Sequence, residues 1–142
     1  MSITESQNGW PASPNPGEID IISVPIQLKA GIKTIQATRA AAPALAEIIR
    51  WWDENIEPVT SLGSYNYRTI RGYKTTISNH GSGTAVDINA TKHPLGAVGT
   101  VPAAKIPLIQ AKASSLGLRW GGDYRNRKDE MHFEINQSPL IY

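Results

Sequence analysis

Cysteine is absent from the 142 residues, which excludes disulfides, thiol nucleophiles and thiolate-bound metal. Any metal held by this chain must take histidine and carboxylate ligands. Charge is also scarce, since Asp, Glu, Lys and Arg make up 18% of the residues against about 25% in ordinary globular domains. Fourteen basic and twelve acidic side chains leave a formal charge of +2 and a pI near 9.0. That excess is too small to mark a nucleic-acid binder. No apolar run approaches the roughly 18 residues that span a bilayer, and the opening MSITESQNGWPASPNPGEID lacks the basic and apolar stretches of a classical signal peptide. Neither a nucleic-acid partner nor membrane insertion is expected. What is present is enough for a core: 40% of the residues are hydrophobic, and the length suits one domain. A monomer is expected.

Residues 1–17 carry Gly9, Pro11, Pro14, Pro16 and Gly17 among small polar residues, a composition that predicts an irregular arm ahead of a domain at 18–142. Trp10 is its natural anchor. Glu18 to Leu28 is rich in β-branched residues and predicts one extended segment, with Pro25 placing it at an edge or a break. In Thr38 to Asn55 the apolar residues Leu45, Ile48, Ile49 and Trp52 recur at spacings of three and four, which predicts a helix starting near Pro43. Trp51 and Trp52 point in different directions on such a helix and read as packing residues rather than a carbohydrate platform. Pro102 to Leu116, stopped by Gly117, predicts a second helix. Short strand-like runs fall at Thr75–Ile77, Thr84–Ile88, Leu118–Trp120 and Met131–Ile135. This order predicts an α+β domain with a small, mainly antiparallel sheet and packed helices.

The chemistry concentrates near two of the three histidines. In SNHGSGTAVDIN, residues 78–89, a glycine-punctuated turn runs into a strand whose alternation puts Ala85, Asp87 and Asn89 on one face and Val86 and Ile88 on the other. Burying an unpaired carboxylate costs several kcal/mol. Asp87 therefore needs a cation, a hydrogen-bond network or a metal, and the turn can fold His80 back beside it. In DEMHFEI, residues 129–135, His132 and Glu134 share one face while Met131, Phe133 and Ile135 share the core-like other. His80, Asp87 and His132 would supply three nitrogen and oxygen ligands, the number that holds catalytic zinc with one position open. Satisfied structural histidines would read the same way from spacing alone. His93, in the loop-like TKHP, has no partner motif and reads as an ordinary loop histidine.

The wording of these segments resembles a family. SxHxxGxAxD at Ser78–Asp87, followed by WGGDY at Trp120–Tyr124 and DEMHFE at Asp129–Glu134, is similar to the signatures of zinc peptidases acting on bacterial cell walls. These are the VanY-like D-alanyl-D-alanine carboxypeptidases and the phage L-alanyl-D-glutamate endopeptidases, which share the hedgehog/DD-peptidase fold. The resemblance runs from about Tyr65 to Ile135. It implies one zinc ion on His80, Asp87 and His132, with Asp129 as the acid/base; Glu130 is a competing candidate that strand alternation points away. Within Ser64–Gly72 the resemblance implies that Arg68 holds substrate and the developing oxyanion, and Arg71 is an alternative. Ser78 is implied at the substrate site, although a turn-capping hydroxyl reads equally well. Trp120 and Tyr124 form either a cleft wall or a packed turn, and Glu134 either orients His132 or sits on the surface. The family implies hydrolysis in the peptide stems of peptidoglycan, and Asp rather than Glu at position 129 is similar to the endopeptidase branch. The expected setting is a phage or prophage lysis enzyme, made in the cytoplasm and acting on the wall after release. A zinc-containing wall-binding module without catalysis is the alternative from another class.

Overall fold

A computed structural model describes residues 4–70 and 72–139. Two short strands, β1 (Thr4–Glu5) and β2 (Pro11–Ala12), pair antiparallel within the arm. Next come β3 (Ile21–Leu28) and β4 (Gly31–Thr38), an antiparallel hairpin in register from Ile21 opposite Thr38 to Leu28 opposite Gly31. Helix α1 (Ala42–Asn55) follows. After it the chain forms β5 (Leu62–Gly63), β6 (Ala85–Ile88), α2 (Ile106–Ser115), β7 (Leu118–Trp120) and β8 (His132–Ile135). These last four strands make an antiparallel sheet in the order β5-β6-β8-β7. The architecture is the α+β class expected, with both helices near their predicted places. No helix among the described residues is long and apolar enough to cross a membrane.

Packing follows the alternation. Ile26, Leu28, Ile35 and Ala37 project from one face of the hairpin into a core shared with Leu45, Ile48, Ile49 and Trp52 of α1. Val86, Ile88, Phe133 and Ile135 enter the same core from the four-stranded sheet. The indole of Trp52 meets Phe133 edge-on at 5.8 Å between ring centroids. Emptying either position to alanine would cost about 3–5 kcal/mol. Asp53, buried at the end of α1, accepts the backbone N–H groups of Lys29 and Val59, both at 2.9 Å, and so ties the hairpin turn to the segment after the helix. Every strand of a two-stranded ribbon is an edge, which is how Pro25 fits inside β3.

The chain departs from expectation in several local places. Thr75–Ile77 makes only isolated bridges through Ile77, to Ser6 and Thr69, instead of a strand. Strand β6 ends at Ile88, because Asn89 has φ 51° and turns its amide to Thr60, Ser61 and Glu57 rather than sharing a face with Asp87. Met131 precedes β8 and lines a cavity instead of entering the core. The arm is partly regular: it contains β1, β2 and a 3-10 turn at Pro16–Ile19. Trp10 does anchor it, buried and donating from its indole N–H to the carbonyl of Gln137 at 2.7 Å.

Candidate metal centre

The two central strands bring the ligands together by register. Asp87 on β6 lies directly opposite His132 on β8, and side chains opposed in an antiparallel pair stand on the same side about 5 Å apart. His80 arrives from the 3-10 turn Asn79–Ser82, whose first N–H groups are capped by Ser78: its hydroxyl accepts from the N–H of His80 at 3.2 Å. Gly83 closes that turn at φ 69°, and a Cβ there would stand 2.6 Å from the backbone nitrogen of Thr38. Glycine is thus required where the turn enters β6.

Hydrogen bonds decide which ring nitrogen faces inward. Nδ1 of His80 is 2.8 Å from the carbonyl of Ser64; a carbonyl only accepts, so Nδ1 carries the hydrogen and Nε2 keeps its lone pair. That Nε2 is 3.1 Å from Asp87 Oδ2. In His132 the assignment is reversed: Nε2 donates to Glu134 Oε1 at 2.7 Å, and Nδ1 faces Asp87 Oδ1 at 3.1 Å. Tyr124 donates its hydroxyl to the same Glu134 oxygen at 2.7 Å. Burial, the Glu134 charge and this bond all keep the phenol protonated. Two lone pairs and a carboxylate facing each other at such distances repel unless a cation lies among them.

One ligand atom from each of His80, Asp87 and His132 lies within 4.8 Å of the others. The donor set, two imidazoles and one carboxylate with their outward atoms already hydrogen-bonded, fits a divalent metal ion. Protons can play part of the same role. Burial opposes charge on His132, but hydrogen bonds and charges from Asp87 and Glu134 prevail and raise its pKa to about 10. The reciprocal contacts hold Asp87 well below the usual carboxylate range despite its burial. Asp129 sits beside this group with Oδ2 3.9 Å from Nδ1 of His132, and its buried Oδ1 has no hydrogen-bond partner among the described residues. Burial, helped by the charges of Asp87 and Glu134, raises its pKa against the pull of the two histidines.

The centre forms the floor of a cavity of about 790 Å³. Arg68, Ser78, Tyr124, Asp129 and Glu134 also line it. Arg68 is exposed there, and Arg71 lies outside the described residues. Ser78 both caps the turn and reaches the cavity. Trp120 is a correction: it is buried in the core, stacked on Phe133 at 6.4 Å, with its indole N–H on the carbonyl of Glu130. Its pairing opposite Phe133 puts it on the core face of the sheet. Glu130 turns away from the cavity and accepts from the backbone N–H groups of Gly99 and Thr100 and from the Thr100 hydroxyl. His93 is a second correction, a buried histidine held between Glu57 Oε2 at 2.6 Å and Thr100 Oγ1 at 2.8 Å.

One residue of the arm carries no motif yet braces the whole centre. Asn8 donates its backbone N–H to Asn79 Oδ1, and its amide nitrogen to the Thr84 hydroxyl and the Ile135 carbonyl, each at 2.9 Å. These contacts join the His80 turn, the entry to β6 and the end of β8.

Residues 71–135 match the D-alanyl-D-alanine carboxypeptidase family of peptidases. That span holds His80, Asp87, Asp129, His132 and Glu134, and leaves out Arg68 and the arm. The comparisons with curated proteins and with solved structures found no match. The match, over less than half of the chain, points to a peptidase acting on peptidoglycan, and the His80, Asp87 and His132 group is one that could bind a metal ion.

Proposed function

We propose that this chain is a zinc-dependent endopeptidase that cuts between L-alanine and D-glutamate in the peptide stems of peptidoglycan. The observation that carries the reading is the inward-facing trio of His80 Nε2, Asp87 and His132 Nδ1, with Asp129 beside it, its buried Oδ1 without a hydrogen-bond partner among the described residues. Zinc bound there by three protein ligands would supply Lewis-acid polarisation of the scissile carbonyl. Asp129 takes a proton from the attacking water as the new C–O bond forms, then delivers a proton to the departing amine as the C–N bond breaks. Arg68 offsets the negative charge that grows on the carbonyl oxygen. Glu134, itself held by Tyr124, keeps His132 turned with Nδ1 inward.

The choice of bond rests on Asp rather than Glu at position 129 and on a cavity walled by residues from well-separated segments, among them Gln7, Arg68, Tyr73, Leu95 and Arg125. Such a cavity suits a chain that continues on both sides of the cut. Removal of a terminal D-alanine is the second reading, favoured by Arg68 as a partner for a terminal carboxylate and by the family that matches. A wall-binding module without catalysis has no use for Asp129. The corresponding setting is a lysis enzyme acting on the wall after release from the cell that makes it. Digestion of purified peptidoglycan, followed by mass analysis, tests the bond: new D-glutamyl amino termini are expected, and free D-alanine with the L-Ala–D-Glu bond intact would select the second reading.

A further inference from the structure

The arginines among the described residues divide into two groups. Arg39 and Arg50 lie outside the cavity, and each meets a carboxylate: Arg39 Nε stands 3.1 Å from Asp20, and an Arg50 terminal nitrogen 3.5 Å from Glu47. Arg68, Arg119, Arg125 and Arg127 all line the cavity, and among the described residues none of the four has a carboxylate within ion-pair distance. No lysine lines it. Acids are within the same wall, so the arginines are not unpaired for want of them. Asp123 accepts instead from the amide of Gln110 at 2.7 Å, and Glu134 is taken by His132 and Tyr124.

Position separates Arg68 from the other three. Arg68 follows β5 at one edge of the sheet, whereas Arg119 belongs to β7 at the opposite edge and Arg125 and Arg127 lie in the loop that follows it. Arg119 is held with its guanidinium 4.9 Å from the centre of the Tyr124 ring. The loop is fixed against its neighbour by the N–H of Gly96, which donates to the carbonyl of Lys128 at 2.7 Å. The result is a wall of arginines facing a peptide-sized cavity. Guanidinium offers paired N–H donors that match a carboxylate bidentately, which lysine cannot do.

Resting on the peptidase reading above, we propose that Arg125 and Arg127, backed by Arg119, bind a free carboxylate of the stem peptide next to the scissile bond. The substrate class is then stems whose glutamyl α-carboxyl is unamidated. Amidation removes the charge and replaces an acceptor oxygen with a donor NH2, which leaves a guanidinium facing a donor.

Two synthetic stem tetrapeptides, identical except for a glutamyl α-carboxylate or α-carboxamide, provide the test. Calorimetric binding to the zinc-loaded, slow-turnover Asp129→Asn protein should favour the carboxylate peptide by about 10-fold or more. The gap should narrow with salt and collapse when R125Q and R127Q are added. Both side chains are exposed, and an unchanged melting temperature would confirm that these substitutions spare the fold. Equal binding of the two peptides, binding of neither, or a gap that survives R125Q/R127Q would overturn the inference. Discrimination in binding with hydrolysis of neither peptide by the unsubstituted protein would instead sink the peptidase reading and leave the carboxylate site standing.

Discussion

Asp129 holds its place because of a glycine. A Cβ on Gly121 would lie 2.2 Å from the Asp129 carbonyl oxygen, and the Gly121 carbonyl accepts the Asp129 N–H at 2.9 Å. The WGG segment therefore acts through backbone proximity, while its tryptophan serves the core. The adjacent carboxylates at 129 and 130 face different surroundings, Asp129 lining the cavity and Glu130 bonded to Gly99 and Thr100. Asp129→Asn is expected to keep its metal and fold while turnover falls about 100-fold to 10,000-fold, the range for losing general acid–base help. Glu130→Gln should keep turnover and lose about 1.5–3 kcal/mol of stability, as expected for charge-assisted hydrogen bonds. Burial alone would raise the pKa of Glu130, but the Thr100 hydroxyl and two backbone N–H groups outweigh it and hold the pKa below its ordinary 4.5. A lowered carboxylate pKa stabilises the fold above the ordinary value, and that stabilisation is lost as pH falls through the folded one. Thermal melts of the two proteins should differ near neutrality and converge in acid. Full turnover in Asp129→Asn with a dead Glu130→Gln would show the roles reversed. At this scale Asp87 stood out as a carboxylate in a strand otherwise built for burial, and alternation put His132 and Glu134 on one face of theirs. Alternation could not place Trp120, since parity separates two faces without saying which one is the core.

At the scale of elements, the centre is a junction of three segments, and the arm clamps them. Strands β6 and β8 were legible because Val86, Ile88, Phe133 and Ile135 alternate cleanly with polar residues. Strand β4 was not, because its buried face offers only Ile35 and Ala37 before Thr38 while Ile32 is exposed. The arm hid its function in the same way: Asn8 works through backbone and amide contacts to residues distant in the chain, which leave no local pattern. Asn8→Ala should cost about 1–3 kcal/mol of stability from the two lost side-chain hydrogen bonds, to the Thr84 hydroxyl and the Ile135 carbonyl. It should also weaken metal binding by roughly 10-fold, as loss of an outer support does. Melting in excess chelator reads the first effect, and competition with a coloured chelator reads the second. Unchanged metal affinity would reduce the arm to a cover.

For the whole molecule, one sheet serves two purposes. Its inner face closes the core against α1, and its outer face carries Asp87, His132 and Glu134 into the cavity. The α+β class was legible from the order of helical and strand-like runs, whereas the hairpin packing and the arm's course depend on contacts between distant segments. A metal that binds only the folded chain adds stability that grows with its concentration, so an ion held by His80, Asp87 and His132 would also stabilise the fold. The central claim is that His80, Asp87 and His132 hold a zinc ion on which hydrolysis depends. Elemental analysis of the purified protein, paired with peptidoglycan hydrolysis before chelation, after chelation and after zinc return, tests it directly. The account predicts one zinc per chain, activity lost with the metal and regained with it, and neither metal nor activity in His132→Ala. Metal-free protein that hydrolyses peptidoglycan at the full rate would contradict it.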